Sequence, residues 1–471
     1  MQIERATRPA VLALALSVAG CASGPDYQPV AFPEKTSGSF VSDSTHVNAV
    51  SPPAQWWKLY NDPALDAIVA EALSANTELR TALANLDRAR AIYRETRGEL
   101  LPSTDVSAGV SRGRNQTASS GTGQAPVQWS YTGGLNISYE LDLFGRVRRD
   151  IEAARGDIEA INAARDATKV VVVAETTRAY VDACAYGESV EVARSSVELA
   201  SRTLDLVTRH QRAGSGSLLD VERSGEALAQ AEAAVPRIQA QRNAALFELA
   251  ALTGRPPSQI PQAASWCEKA PEVKGAIPVG DGMSMLRRRP DIRQAERKLA
   301  ADTARIGVAV ADLYPRVTLG ASTSYLRNDS LQGDRAWSFS FGPLISWTFP
   351  NMTLARSRIA QAQAQSAASL AHFDSVVLTA LKESEQALST YQGAIEQRNA
   401  LIQARDHAES AFMLAEQRFR AGSISYLDVM VAQNSLVSRR SQAATADQQV
   451  GSARLDVFKA LGGGWQPRSQ N

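Results

Sequence analysis

Few residues in this 471-residue chain are equipped for chemistry, and they are scattered. The four histidines, His46, His210, His372 and His407, have no carboxylate or cysteine at a metal-ligand spacing. Cys21, Cys184 and Cys267 are odd in number and far apart, which excludes a disulfide framework and a Cys-rich metal knuckle. A single Cys184 to Cys267 bridge stays open, as does the alternative of two free thiols. No phosphate-binding loop, nucleophile elbow or HExxH motif occurs, so nothing speaks for an enzyme, a metal or a soluble cofactor. The 50 Lys plus Arg balance 49 Asp plus Glu, leaving no basic field for nucleic acid. Two carboxylates do share a context: Leu219-Asp220 follows Arg212-Ala213-Gly214, and Leu427-Asp428 follows Arg420-Ala421-Gly422. Such aspartates suit the first turn of a helix, or a ring of negative charge if copies assemble around an axis.

A further candidate is covalent. Arg5 and Arg8 precede an apolar run at 11–19, about nine residues against the roughly twenty that a spanning helix needs. Residues 1–20 therefore read as a signal peptide. It ends in Val18-Ala19-Gly20-Cys21, where small residues admit a peptidase and the thiol can accept diacylglycerol. This is similar to a bacterial lipobox, and Ala22 in place of Asp implies sorting to the outer membrane. Lipid chains anchor modestly, so a second membrane-contacting element is expected.

The elements that position these residues come in two copies. An offset of 208 residues superimposes Arg212 through Val221 on Arg420 through Val429, Trp129 on Trp337, Ser138 on Ser346 and Gly254 on Gly462. A slightly larger offset brings Leu100 and Pro102 onto Leu313 and Pro315. Each copy reads as helix, two strands, long helix, return helix. Residues 64–99 form the first helix, and 290–313 form its counterpart. Four runs alternate with period two. Trp129, Tyr131, Leu135, Ile137 and Tyr139 oppose Ser130, Thr132, Asn136 and Ser138, and Trp337, Phe339, Phe341, Ile345, Trp347 and Phe349 oppose Ser338, Ser340 and Thr348. The run from Val317 to Tyr325 is similar, and the one at 104–112 is weaker. Strands of about ten residues with terminal aromatics match membrane strands. Four cannot close a barrel, whose smallest bacterial form has about eight, so three chains sharing a dozen strands are expected.

Residues 146–212 and 354–420 lack proline and should each form a helix of about 100 Å. Ala193, Val197, Ala200, Leu204 and Val207 predict a coiled-coil seam with small knobs, and Pro236 predicts a kink or packing change in the first return helix. The resulting organisation is a signal peptide 1–20, a lipidated extended segment 21–63, a first repeat 64–254 with strands at about 103–142, an equatorial linker 255–283, a second repeat 284–462 with strands at about 316–349, and a tail 463–471.

Several phrases together resemble the TolC-like outer membrane factors, in their lipoprotein, NodT-like branch. They are Trp57 with Asp62-Pro63 and Leu65, Asn76, Leu141-Asp142-Leu143-Phe144-Gly145-Arg146, Arg289-Pro290-Asp291-Ile292, Leu313-Tyr314-Pro315, and Ala460-Leu461-Gly462-Gly463-Gly464-Trp465. The resemblance covers nearly the whole mature chain. It implies a mainly α fold with membrane β: a homotrimer whose twelve-stranded outer-membrane barrel continues into a long periplasmic α-helical barrel. It also implies a periplasmic adaptor and an inner-membrane pump as partners, and outer-membrane lipid around the barrel. The expected role is a passive exit channel of a tripartite efflux system, shut at the periplasmic tip by Leu219, Asp220, Leu427 and Asp428. An outlet for type I protein secretion uses the same fold, and a non-conducting envelope tether is the rival of a different class. The chain departs from the family at Val431, where a further aspartate often stands, which makes the tip more apolar. Arg223, three residues after Asp220, is a candidate ion-pair partner for it.

Overall fold

The structure is a computed structural model that describes residues 23–32, 38–42, 44–114, 127–329, 331–349 and 352–464. Its helices of seven or more residues are α1 (Pro63–Ala75), α2 (Thr77–Gly98), α3 (Arg146–Arg212), α4 (Leu218–Leu252), α5 (Gly282–Arg288), α6 (Pro290–Ala311), α7 (Met352–Arg420) and α8 (Tyr426–Ala460). Its strands are β1 (Val47–Asn48), β2 (Ser103–Gly113), β3 (Gln128–Leu141), β4 (Ile277–Pro278), β5 (Arg316–Arg327) and β6 (Trp337–Ser346). The chain divides into two compact units, one of residues 1–30, 85–162 and 294–374, the other of 31–84, 163–293 and 375–471.

The first unit carries an antiparallel sheet in the order β2-β3-β5-β6. Directly opposed residues share a face. One row runs Val106, Leu135, Thr323, Phe339, and the next Thr104, Ile137, Ala321, Phe341. The intervening rows, on the other face, run Asp105, Asn136, Ser322, Ser340 and Ser107, Gly134, Ser324, Ser338. The period-two pattern of each strand is thus in phase with its neighbours, and the sheet has one oily and one hydroxylated side. β2 and β6 each pair on one edge only. β6 was expected to reach Phe349 but leaves the ladder at Ser346, because its partner begins at Arg316 after Pro315, which has no N–H to give. Beyond it Trp347 stacks on Phe349 at 4.9 Å and donates its indole N–H to the Leu313 carbonyl.

The helix expected over 64–99 is two helices. Asn76 leaves the helical conformation (ψ 131°), its Oδ1 accepts from the N–H groups of Glu78 and Leu79, and its Nδ2 donates to the Leu252 carbonyl at the end of α4. One side chain therefore caps the start of α2 and the end of α4. Arg289 occupies the matching break between α5 and α6, extended before Pro290 as a residue preceding proline prefers. Its Nη1 donates to the Ala460 carbonyl at the end of α8. Each return helix then stops at a left-handed glycine, Gly254 (φ 71°) or Gly462 (φ 68°). A Cβ on Gly254 would sit 2.7 Å from the Ala75 oxygen, and one on Gly462 2.9 Å from Arg289 Cγ.

In the second unit the long and return helices form hairpins, α3 with α4 and α7 with α8. The seam on α3 differs from the expected one. Ala193, Ser196, Ala200, Thr203 and Val207 are buried, while Val197 and Leu204 are half-buried. Ser196 and Thr203 tolerate burial because each hydroxyl donates to a carbonyl four residues back, Val192 and Leu199. Helix α4 runs through Pro236 without interruption. At the helix ends, Trp56 stacks on Phe458 at 4.7 Å within a core that includes Leu65, Leu249, Leu286 and Leu461. The question left open for the cysteines is settled here: Cys184 and Cys267 form a disulfide. β1 and β4 pair in parallel nearby in sequence to it, bringing Val47 against Ile277.

Candidate functional site

The first candidate surface is the sheet. Trp337, Phe339 and Phe341 are 62%, 88% and 73% exposed in a single chain, and Val106, Val110, Trp129 and Tyr131 of the same face are also exposed. A contiguous apolar face of this kind demands a partner or a membrane. On the opposite face hydroxyls satisfy one another: Ser322 with Ser340 at 2.8 Å and Ser324 with Ser338 at 2.7 Å. No described helix is long and apolar enough to cross a membrane.

The junction below β3 explains the run from Leu141 to Arg146. Asp142 caps α3 through the N–H groups of Val147 and Arg148, Gly145 takes φ 79°, and Phe144 stacks on Tyr314 at 4.6 Å. Arg146 binds Glu140 at 2.8 Å and Glu99 at 3.0 Å. The hydrogen bonds it donates to Glu140, outweighing burial, hold its guanidinium above the ordinary value. The N-terminal strap docks on the same junction. Ser23 N and Oγ both donate to the Phe144 carbonyl, Arg149 donates to the Ser23 oxygen and pairs with Asp26, and Gly24 lies so close to Gly307 that a Cβ would come within 2.5 Å of its Cα. Cys21 and the signal peptide lie outside the described residues, as does the tail beyond Gly464.

The second candidate surface is the pair of hairpin turns. Both turns are built alike: the N–H of Ser215 reaches the His210 carbonyl and that of Ser423 the Arg418 carbonyl, with Gly214 (φ 76°) and Gly422 (φ 74°) in the left-handed region. Ser217 and Ser425 precede the return helices. Ser217 Oγ donates to Asp220 Oδ2 at 2.8 Å, and Ser425 N–H and Oγ donate to Asp428 Oδ2 at 3.0 and 2.7 Å. Both aspartates are thereby third-position capping acids. Arg223 makes no ion pair with Asp220; among the described residues the serine is the partner instead. Leu219 and Leu427 are exposed, and Val431 is 61% exposed, an apolar surface on the turn after Asp428.

The structure sets the two turns side by side through residues not singled out in sequence. Tyr426 sits in an apolar cluster with Val207, Phe412, Val429 and Leu436. Its Oη lies 2.5 Å from Ser224 Oγ, which also reaches the Asp220 carbonyl at 2.7 Å. Burial, reinforced by the Asp220 charge, pushes the phenol upward, so it stays protonated. Phe419 packs between His210, at 5.2 Å, and Tyr426, at 6.0 Å. The available signal was Ser224 standing four residues, one helical turn, after Asp220. Among the described residues no cluster of His, Cys, Asp and Glu could hold a metal ion.

A sheet with one exposed apolar face and one hydroxylated face, joined by chain to long helical hairpins, is an arrangement suited to a membrane conduit. Residues 68–255 and 283–463 match the Outer membrane efflux protein family, and the chain belongs to it. It is 29% identical over 462 residues to Nodulation protein T of Rhizobium leguminosarum bv. viciae, covering 97% of this chain and 94% of the relative. It is 30% identical over 468 residues to the solvent efflux pump outer membrane protein SrpC of Pseudomonas putida, covering 97% and 98%. Among solved structures it is similar to the outer-membrane channel OprN, with 33% identity, a TM-score of 0.86 and coverage of 95% and 100%. Outer-membrane localisation and a channel rather than an enzyme family follow from these matches.

Proposed function

We propose that the chain is one third of an outer-membrane exit channel that conducts passively and serves a tripartite efflux system. The carrying observation is the open four-stranded sheet, with unpaired edges at β2 and β6 and one exposed aromatic face. Three copies joined β6 to β2 close twelve strands, remove every edge, turn the oily rows to lipid and line the interior with serine, threonine and glycine. A diacylglyceryl group on Cys21 anchors each subunit to the membrane. The hairpin turns form the periplasmic tip, where Leu219, Leu427 and Val431 narrow the path and Asp220 and Asp428 set its charge while capping their helices. An inner-membrane pump and a periplasmic adaptor deliver cargo to it, in keeping with relatives named as efflux pump components.

The test is a cysteine pair across the β6 to β2 edge, Phe339→Cys with Val106→Cys, in the full-length protein in membranes. Oxidation yields covalent trimers if the edges meet. Monomers alone, alongside an unlabelled Cys21 in lipid incorporation, would overturn the reading.

A further inference from the structure

The disulfide encloses one hairpin and holds a crossing segment. Cys184 lies on α3 and Cys267 lies 83 residues on, so the closed loop contains the end of α3, its turn and all of α4. The second hairpin has no such closure: Gln392 stands at the position 208 residues after Cys184. The segment that carries Cys267 is seated by more than the bridge. Arg242 donates to the Ser265 and Cys267 carbonyls at 2.8 and 3.0 Å, and a Cβ on Gly187 would sit 2.7 Å from the Cys267 oxygen. From there residues 270–273 line a cavity of about 240 Å³ together with Ala185 and Glu188 of α3, Ile395 of α7 and Gly451 of α8. Burial, with the charges of Asp447 and Glu272 adding, pushes the Glu188 carboxyl upward, placing the crossing segment's acid against those of α3 and α8.

We propose that Cys184 and Cys267 are a periplasmic modification site whose oxidation fastens residues 267–273 as a strap across α3, α7 and α8, limiting leakage through the closed channel. The leakage clause rests on the channel reading above. Closing the bridge removes two protons and two electrons from the two thiols; a protein disulfide oxidant accepts them by thiol exchange and becomes a dithiol. Cys184 is fully buried, so the exchange must begin before the strap seats or at the partly exposed Cys267.

The experiment uses the full-length protein purified in detergent, as wild type and as Cys184→Ser with Cys267→Ser, each with and without dithiothreitol. Alkylation under denaturing conditions should find no thiol at either position of the wild type until it is reduced. Trypsin should cut after Lys269 and Lys274 about tenfold faster in reduced than in oxidised wild type. The double variant should cut at the fast rate with or without reductant. In bilayers, reduction should raise the closed-state conductance of the wild type and leave the variant unchanged. Free thiols in the untreated wild type, or equal cleavage rates, overturn the strap. Faster cleavage with unchanged conductance overturns its effect on leakage while the channel reading stands. Silence of every form in the bilayer removes the channel reading, and cleavage still decides the strap.

Discussion

Adjacent residues on β6 should differ sharply when each is replaced by arginine. Phe341 lies in the row with Ala321 and Ile137, near the middle of its strand, and is 73% exposed in one chain. Ser340 lies in the next row, on the hydroxylated face, bonded to Ser322. If the oily rows meet lipid, a guanidinium at position 341 costs about 2–4 kcal/mol near the bilayer centre, or about 6–12 kcal/mol over three copies. At position 340 the guanidinium stays in water and the loss is one neutral hydrogen bond, about 1 kcal/mol. The gap between the two variants is at least about 1–3 kcal/mol per chain. Urea unfolding from lipid vesicles, followed by heat-dependent gel mobility, measures it, with Phe341→Leu as a near-neutral control. Equal costs, or a larger cost for Ser340→Arg, would refute the assignment of faces.

Gly462→Ala should destabilise by about 1–2 kcal/mol or more through its left-handed backbone, whereas Gly393→Ala, inside α7 with open space around it, should stabilise by about 0.5–1 kcal/mol; thermal melts compare them. Arg289→Met should cost about 2–4 kcal/mol, since it strips a donor from the Ala460 carbonyl and leaves Asp291 and Glu383 without their cation, and Arg289→Lys should not restore the bidentate contact in denaturant titrations. Burial opposes ionisation of Asp302, but Ser369, Lys298 and Arg305 outweigh it and hold its carboxyl below the ordinary value. A depressed acid contributes stability that is complete above about pH 4 and is lost as pH falls through the folded value, so Asp302→Asn should flatten that acid limb in circular-dichroism titrations. Asp220→Asn with Asp428→Asn retains acceptors for the serine caps while removing charge; conductance should change with little loss of stability, whereas a loss of stability alone would reduce both residues to caps.

The pattern-bearing parts of the fold were legible because one physical rule governs each. Period-two alternation placed the four long strands within a few residues, and the absence of proline placed α3 from Arg146 to Arg212 and α7 to within two residues of its start. What escaped involved tertiary partners. Asn76 carries an N-cap signal that an unbroken run of helix formers on both sides hides, and its side chain serves both the start of α2 and the Leu252 carbonyl. The α3 seam chose Ser196 and Thr203 over Val197 and Leu204, since helices on more than one side require small residues and their hydroxyls are satisfied within the helix. The bond between Tyr426 and Ser224 joins residues 202 apart in sequence, and the position of Ser224 one turn after Asp220 did not name its partner. The disulfide was within reach: with Cys21 set aside for lipid, the remaining cysteines are even in number.

The serines of β5 and β6 spend their hydrogen bonds on each other. In the proposed barrel that leaves a wall of mutually satisfied hydroxyls around the axis, with Asp105 the charge in its Asn136, Ser322, Ser340 row, and few idle donors for a departing molecule to hold. Such a lining is non-adhesive: it lets dissimilar solutes leave at similar speeds, and it assigns discrimination among them to whatever loads the duct.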